Sequence, residues 1–380
     1  IGGIMYGQRG IASMLGFCKD IREVAAPGCI LLNYSNPNAM VTWACNKYGK
    51  VPTYGLCHGV QHGHEQIAKA LGRKKEDVDI ICAGLNHQTW YVSVKTDGVE
   101  RTGELYELMK QAEFAKDENI RLDVMRNFGY YSTESNGHLS EYLMWYRKRP
   151  EDMEKWINYS SWIQGETAGY LRVCRESRNW FETDFPNWLK EPARQFVPEK
   201  RSTEHGSYII EGLETGRVYR GCFNVMNEGA ITNLPAECVV EVPCYVDYNG
   251  ISVPKVGDLP LGCAAICSAS VWVQKLAVEA AVHGDITLLR QAAMMDPLTG
   301  AVCTPDEIIQ MVDEMLVAGE KWLPQYASEI ARAKKRLENK TVPYRPVKGF
   351  TLKEKSVEEM AKEKGKYRAL ASAAAKEKVE

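Results

Sequence analysis

The chain of 380 residues contains no apolar run that approaches the ~20 residues needed to cross a bilayer, and no basic-then-apolar leader opens it. Its 12 cysteines stand singly in apolar segments, without the spacing of a disulfide framework. No internal repeat or low-complexity linker interrupts the sequence before residue 331. These absences exclude the membrane and disulfide-rich secreted classes and predict a soluble protein of the reducing cytoplasm.

Charge is nearly balanced, with a formal net charge of −2, but it is unevenly distributed. Residues 331–380 are rich in lysine, alanine and glutamate and carry a basic excess, whereas the preceding part is acidic. This tail is typical of a solvated helix or a disordered segment, and we expect no nucleic-acid binding from it. The length and the 45% hydrophobic content predict two domains with sizeable cores.

Strand and helix patterns alternate at the start of the chain. Apolar runs at 29–36, 51–57 and 78–86 predict strands, and helices are predicted between them and before them. Such alternation is typical of an α/β fold with a doubly wound parallel sheet, which binds ligands beyond the carboxyl ends of its strands. Those ends carry Asn-Pro, Cys-His and Asn-His pairs, so we expect a site at that edge.

From about residue 90 the pattern changes to hairpins and longer helices. The segment CVVEVPCYVDYNGISVP predicts two strands joined at the turn D-Y-N-G. Thr304, which precedes two acidic residues, predicts the start of a helix. This part of the chain therefore has the pattern of an α+β domain.

The segment YGLCHGVQHGHEQ concentrates four metal-binding residue types at Cys57, His58, His62 and His64. One shared metal for all four is geometrically poor, because residues two apart on a helix point to different faces. Cys57 ends a strand and precedes a helix, where the helix dipole favours a thiolate. With His87 from the next strand end it predicts a metal site left open to substrate and water. The alternative is a buried free cysteine and a hydrogen-bonded histidine.

Two further clusters have both a functional and a structural interpretation. The Asn-Pro pair in NYSNPNA forms a turn whose amide can meet a ligand, or an ordinary turn. In RSTEHGSYIIEG, Glu204, His205 and Tyr208 offer a proton acceptor at a helix start. A capping Ser202 with an incidental histidine explains the same letters.

Together these motifs resemble glycoside hydrolase family 4, and within it the NAD- and manganese-dependent α-galactosidases. The matching segments lie between residue 1 and about residue 326: GGIM, LLNYSNPNAM, GLCHGVQ, CAGLNH, FGYYSTES, EHGSYIIEGLETG, ITNLP, VEVPCYVDYNGI, AAMMDPLTGAV and WLPQY. The resemblance implies the C-terminal part of a doubly wound, Rossmann-like sheet of the lactate/malate dehydrogenase kind, plus a larger α+β catalytic domain. We expect a partial NAD-binding domain at 1–88, a catalytic and oligomerisation domain at 89–330, and a basic tail at 331–380.

The resemblance also implies roles for individual residues. Its metal ligands fall on Cys57 and His87. Its nicotinamide contacts fall on Asn33 and Asn36, and its sugar contacts on Asn36, Arg9, Asn86 and His58. His205 takes the position of the base at C2, where the family commonly has a tyrosine in S-x-E-Y-G, and His58 and Tyr208 are the further catalytic candidates.

The implied reaction differs from that of glycosidases with two carboxylates. NAD⁺ takes a hydride from C3 of the sugar, a base removes the acidified C2 proton beside Mn²⁺ or another divalent ion, and the glycosidic bond breaks by elimination. Water then adds and the hydride returns. We expect a small sugar as substrate and a homo-oligomer, either a dimer or a tetramer.

Several alternatives stay open at this stage. The family's glycine-rich phosphate loop has no counterpart in the chain, so we expect about 100 further residues upstream and no competent NAD site without them. A uronidase of the same family, acting on α-galacturonides or α-glucuronides, shares the motifs. A truncated, inactive binding module would lack the loop. A 2-hydroxyacid dehydrogenase shares the Asn-Pro turn, but it does not explain Cys57 with His87.

Overall fold

The computed structural model describes residues 1–158, 166, 169–192, 197, 201–339, 352–360 and 362, with the side chains of 178–183 left out. The chain divides into two compact units, Ile1–Ile157 with Thr203–Arg345, and Asn158–Ser202 with Pro346–Glu380. Everything described below belongs to the first unit, apart from helix α8.

Helices α1 to α14 follow one another along the chain. They span Gly2–Val24, Asn38–Lys47, Gly59–Ala70, Leu105–Met109, Asn119–Phe128, Asn136–Tyr142, Pro150–Trp156, Gly169–Trp188, His205–Thr215, Leu261–His283, Ile286–Met295, Pro297–Val302, Pro305–Ala318 and Ala327–Glu338. Helix α13 begins at the predicted position, where Thr304 and Glu307 form a capping box.

The first unit contains a mixed sheet of eight strands. Strands β1 to β8 span Leu31–Asn33, Thr53–Leu56, Asp79–Leu85, Gln88–Thr96, Val99–Glu100, Tyr219–Met226, Val239–Asp247 and Gly250–Ser252. Their order is β1-β2-β6-β7-β3-β4-β5, and β8 pairs with β7 across the predicted D-Y-N-G turn. The α/β class is confirmed.

The direction of the third predicted strand is a correction. Strands β1 and β2 pair in parallel, but β3 runs antiparallel to both β7 and β4. The chain turns back within two residues, since Leu85 pairs with Gln88, and no helical crossover intervenes. The Asn-His pair therefore occupies a hairpin turn and not the carboxyl end of a parallel strand.

Helices surround this sheet and supply the cores. Helix α3 packs with β3, β4, α4 and α5 around a core that includes Val60, Ile67, Tyr91 and Met125. Helix α10 contacts α1, α2 and α11. By length and composition α10 could cross a membrane. The buried core helices of soluble proteins share this length and composition, so α10 alone does not indicate a membrane protein.

Strands from both sides of residue 88 share this one sheet, because β2 pairs with β6. The domain division at 88 stays a prediction.

The predicted basic tail lies mostly outside the described residues, although α14 covers its beginning. There Asp313 of α13 accepts hydrogen bonds from Arg290 of α11 and Arg336 of α14, at 3.0 and 2.7 Å.

Candidate active site

A row of polar residues and glycines crosses the sheet beneath the candidate site. The row consists of residues that pair with one another from strand to strand, in the order Asn33, Gly55, Asn224, Glu241, Gly84 and Thr89. A Cβ on Gly55 would lie 2.0 Å from Oδ1 of Asn38, so only glycine lets α2 approach the sheet this closely. Asn38 in turn donates to the carbonyl oxygens of Asn33 and Leu56, at 3.1 and 3.2 Å, and thereby ties the ends of β1 and β2 together.

Cys57 follows directly on β2, one turn before α3. The backbone N–H of Gly59 donates to its Sγ over 3.5 Å, the type of contact that a thiolate accepts at a helix start. Burial, reinforced by the charges of Glu241 and Glu134, nevertheless raises the pKa of the Cys57 thiol to about 12. The thiol therefore keeps its proton near neutral pH unless a cation displaces it.

His87 lies at the turn of the β3–β4 hairpin in the left-handed region, with φ of 64°. Its Nδ1 is 3.1 Å from the hydroxyl of Tyr142, and its Nε2 is 3.4 Å from Oε2 of Glu134. Burial lowers the pKa of His87, so the imidazole is neutral near pH 7 and one ring nitrogen keeps a lone pair. A neutral imidazole held by a second partner is the form that binds metals.

Glu134, which sequence reasoning missed, lies 3.4 Å from His87 and near enough to Cys57 for its charge to raise the pKa of the thiol. A Cβ on Gly59 would lie 3.6 Å from Sγ of Cys57 and 3.9 Å from Oε2 of Glu134, so the glycine keeps open the space between thiol and carboxylate. Glu134 therefore lies beside His87 and near Cys57, on the side of the site where the sequence predicts a metal ion. Among the described residues, no three His, Cys, Asp or Glu side chains are already close enough to hold a metal ion.

Asn86, predicted as a sugar contact, faces the protein interior. Its Nδ2 donates over 3.4 Å to Oε2 of Glu241, which also accepts from Thr89. Glu241 is 1% exposed, and burial raises its pKa to about 8. Asn86 therefore connects the His87 turn to the sheet and acts as a positioning residue. Glu241 was also missed, since nothing in its sequence neighbourhood marks it as polar and buried.

His205 is 1% exposed, and both of its ring nitrogens have hydrogen-bond partners. Nε2 is 3.1 Å from the carbonyl oxygen of Cys57, and Nδ1 is 2.7 Å from the hydroxyl of Tyr219. In this arrangement His205 contacts the backbone at Cys57, and its role as the C2 base stays a prediction. Burial lowers its pKa, which keeps it neutral.

Tyr208 lies on another face of the site, whereas His58 is exposed and near enough to His87 to help lower the pKa of that imidazole. Tyr208 stacks on Tyr219 at 5.0 Å and lines a separate cleft of about 420 Å³. His58 caps α3 and is 73% exposed, with Nδ1 3.8 Å from Glu204. Tyr208 is therefore not placed to replace His205 as the C2 base.

Asn33 and Asn36 form the turn after β1. The Asn33 side chain donates to the carbonyl of Ser35 and accepts from its N–H, at 3.1 and 3.0 Å. Asn36 is exposed, and its Oδ1 accepts from the N–H of Asn38. Arg9 is exposed on α1 and lies over the rings of Tyr6 and Trp322, and its role as a sugar contact stays a prediction.

A second cleft of about 430 Å³ adjoins the candidate metal ligands through Tyr142. Its walls come from the start of α1, from α10 and from α12, with Arg147 and Glu141 on one side. A monosaccharide fits a space of this size. No sequence signal marks Tyr142, which lies at the end of α6 and contacts His87 through its hydroxyl.

Comparison with known proteins gives two family matches and several close relatives. Residues 1–73 match the family 4 glycosyl hydrolases, and residues 82–299 match the C-terminal domain of that family. An α-galactosidase of Rhizobium meliloti is 56% identical over 96% of this chain and 75% of its own length, and an α-galactosidase of Bacillus subtilis is 36% identical over 86% and 74%. The 6-phospho-β-glucosidase of Thermotoga maritima, solved with manganese, NAD⁺ and glucose-6-phosphate, superposes with a TM-score of 0.65 at 23% identity over 84% of this chain and 72% of its own.

Proposed function

Because this chain belongs to family 4 of the glycosyl hydrolases, we propose that it acts as an α-galactosidase that needs NAD⁺ and a divalent ion such as Mn²⁺. Two relatives at 56% and 36% identity carry that activity in their names, and a solved relative holds both cofactors. The structural observation that carries the proposal is that Glu134 lies 3.4 Å from His87 and near enough to Cys57 for its charge to raise the pKa of the thiol.

In this proposal Cys57 and His87 hold the divalent ion, and Tyr142 and Asn86 hold the His87 turn in place. When bound, NAD⁺ would accept the C3 hydride and the ion would stabilise negative charge on the sugar oxygens, so that elimination and then addition of water follow. His205 contributes by fixing the carbonyl of Cys57.

The chain's own part of the NAD site is limited. The turn after β1, with Asn33 and Asn36, is assigned to the nicotinamide end, and the exposed His58 to the sugar side. Within the described ranges, no strand is followed by a glycine-rich loop and a helix, so the phosphates of NAD⁺ find no cradle in this part of the chain. A homo-oligomer and a cytoplasmic location stay predictions.

A uronidase needs a cation directed at the C6 carboxylate, and the cleft beside Tyr142 argues against one. Arg147 lines that cleft, but its Nε donates to Oγ of Ser140 over 2.7 Å and its Nη2 to the carbonyl of Gly137 over 3.2 Å. These donors are directed into the protein. A neutral sugar such as galactose fits the cleft better than a uronic acid.

The test compares hydrolysis of nitrophenyl α-galactoside and α-galacturonide by the full-length protein, with NAD⁺, Mn²⁺ and a reductant added. We expect faster release from the galactoside, loss of activity with a chelator, and solvent deuterium at C2 of the product. Cys57→Ser should lower the rate about a hundredfold or more, whereas Cys29→Ser, at an exposed thiol, should not. Faster turnover of the galacturonide, or turnover that survives the chelator, would contradict the proposal.

A further inference from the structure

We infer that Glu241 is a positioning residue for the candidate site, because its carboxyl group joins the three chain segments from which the site is built. These segments are the end of β2 before Cys57, the β3–β4 turn with His87, and the segment before α6 with Glu134. Glu241 lies on β7, outside all three, and is 1% exposed. The inference rests on the proposed function, because it concerns the same site.

The first contact is with the β3–β4 turn. Oε2 of Glu241 accepts hydrogen bonds from Nδ2 of Asn86 over 3.4 Å and from the hydroxyl of Thr89 over 3.3 Å. Asn86 directly precedes His87, and Thr89 follows it by two positions. Both bonds are long, but the two donors are 8% and 0% exposed, so water does not replace the carboxyl oxygen. The carboxyl group therefore holds both sides of the turn.

The second contact runs through Thr89 to the segment with Glu134. The hydroxyl of Thr133 donates to Oγ1 of Thr89 over 3.2 Å, and the backbone N–H of Thr133 donates to the carbonyl oxygen of Thr89 over 3.0 Å. Thr133 directly precedes Glu134, whose Oε2 lies 3.4 Å from Nε2 of His87. The distance between Glu134 and His87 thus depends on a residue that Glu241 holds.

The third contact runs through Asn224 to β2. Asn224 of β6 pairs directly with Glu241, so the two side chains lie on the same face of the sheet. Burial raises the pKa of Glu241, and the amide of Asn224 opposes this rise, as a nearby donor does. Nδ2 of Asn224 also donates over 3.4 Å to the carbonyl oxygen of Gly55, two residues before Cys57.

The alternative is that Glu241 serves only the stability of the sheet. A buried carboxyl group is poorly suited to that role, because its removal from water is costly and apolar residues of similar size are often as stable. Val240 and Val242, its neighbours on β7, are apolar and 0% exposed. The donors that it orders explain why a carboxyl group stands at this position.

The experiment replaces Glu241 in the full-length protein at pH 7. Glu241→Gln keeps the shape and an acceptor oxygen for Asn86 and Thr89, and its amide can donate to Oδ1 of Asn224, which has no partner among the described residues. Glu241→Leu keeps a similar size and removes the acceptor. The matched control is Asp313→Asn, which changes another buried carboxyl group, among α11, α13 and α14 and outside the three segments.

Hydrogen–deuterium exchange, followed by mass spectrometry without metal, measures how firmly the segments are held. We expect Glu241→Leu to speed exchange about tenfold or more in residues 54–58, 84–90 and 131–135, and Glu241→Gln to stay within about threefold of the wild type. Asp313→Asn should leave these segments unchanged. Should Glu241→Leu not fold, the isosteric Thr89→Val interrupts the second contact and should speed exchange in residues 131–135.

Mn²⁺ affinity, measured by calorimetry on the same proteins, should fall about 10–100-fold in Glu241→Leu and stay near the wild-type value in Glu241→Gln and Asp313→Asn. Unchanged exchange or unchanged Mn²⁺ affinity in Glu241→Leu would overturn the inference. An equal loss in Glu241→Gln, or the same faster exchange in Asp313→Asn, would overturn it as well. The expected exchange together with no Mn²⁺ binding by the wild-type protein would instead contradict the proposed function.

Discussion

Metal uptake at Cys57 should release one proton, and this coupling can be measured. Burial and two carboxyl groups raise the pKa of the thiol to about 12, so at pH 7 its deprotonation costs about 7 kcal/mol that the ion has to supply. The imidazole of His87 releases none near neutrality, because its pKa is lowered and it is already neutral. Since the ion competes with the thiol proton, the Kd for Mn²⁺ should fall at least about tenfold per pH unit between pH 7 and pH 9, and the ionisation of Glu241, whose pKa is raised to about 8, should add to that fall.

The assay is calorimetry of Mn²⁺ binding in two buffers that differ in their heat of ionisation, which gives the number of protons released. Chelator competition at several pH values gives the slope of log Kd. Cys57→Ser should lose most of the affinity and the slope together, while Cys29→Ser should keep both. A flat Kd between pH 7 and pH 9, or the release of clearly less than one proton, would refute the reasoning that the thiol is protonated before the ion binds.

Two further predictions concern stability. Asp313→Asn should lower the free energy of unfolding by about 1–3 kcal/mol, against Glu338→Gln as an exposed control, because it removes the carboxylate that joins α11, α13 and α14. Burial favours the neutral acid, but the hydrogen bonds from the two arginines outweigh it and lower the pKa of Asp313. The stabilisation by Asp313 is therefore present above pH ~4 and is lost as the pH falls further. Urea denaturation at pH 7 and at pH 3 would test this. Gly63→Ala should cost about 1–3 kcal/mol in urea unfolding, because its Cβ would lie 2.3 Å from the hydroxyl of the buried Tyr91, whereas Gly10→Ala, with nothing within 4 Å, should be neutral or stabilising. Equal effects of the two glycine changes would contradict the packing argument.

Local signals in the sequence were sufficient for much of the fold. The Thr304 capping box, the D-Y-N-G turn and the helix after Cys57 depend on neighbours within a few residues, and each appears where it was predicted. The direction of β3 depends on pairing with β7, more than 150 residues away, and no local pattern specifies it.

The candidate site shows the same limit. Cys57 and His87 were identified from their positions at segment ends, and the structure places Glu134 3.4 Å from His87 and near enough to Cys57 to raise the pKa of its thiol; their role as metal ligands stays a prediction. His205 was assigned from the letters of its motif, but the role of a histidine depends on which atoms its nitrogens meet. Here these are the hydroxyl of Tyr219 and a backbone carbonyl, and neither is visible in the motif.

The order of the strands has a consequence for how the ion is acquired. Strand β2, which carries Cys57 at its end, reaches the rest of the sheet only through β6, and the His87 hairpin is joined to β7 through Glu241. Contacts between such distant segments form late in folding, because a long loop must close before they stabilise the chain. A chain in synthesis that already contains Cys57 and His87, but not yet β6 and β7, therefore cannot hold these two residues together. The ion should enter only after the central strands have paired.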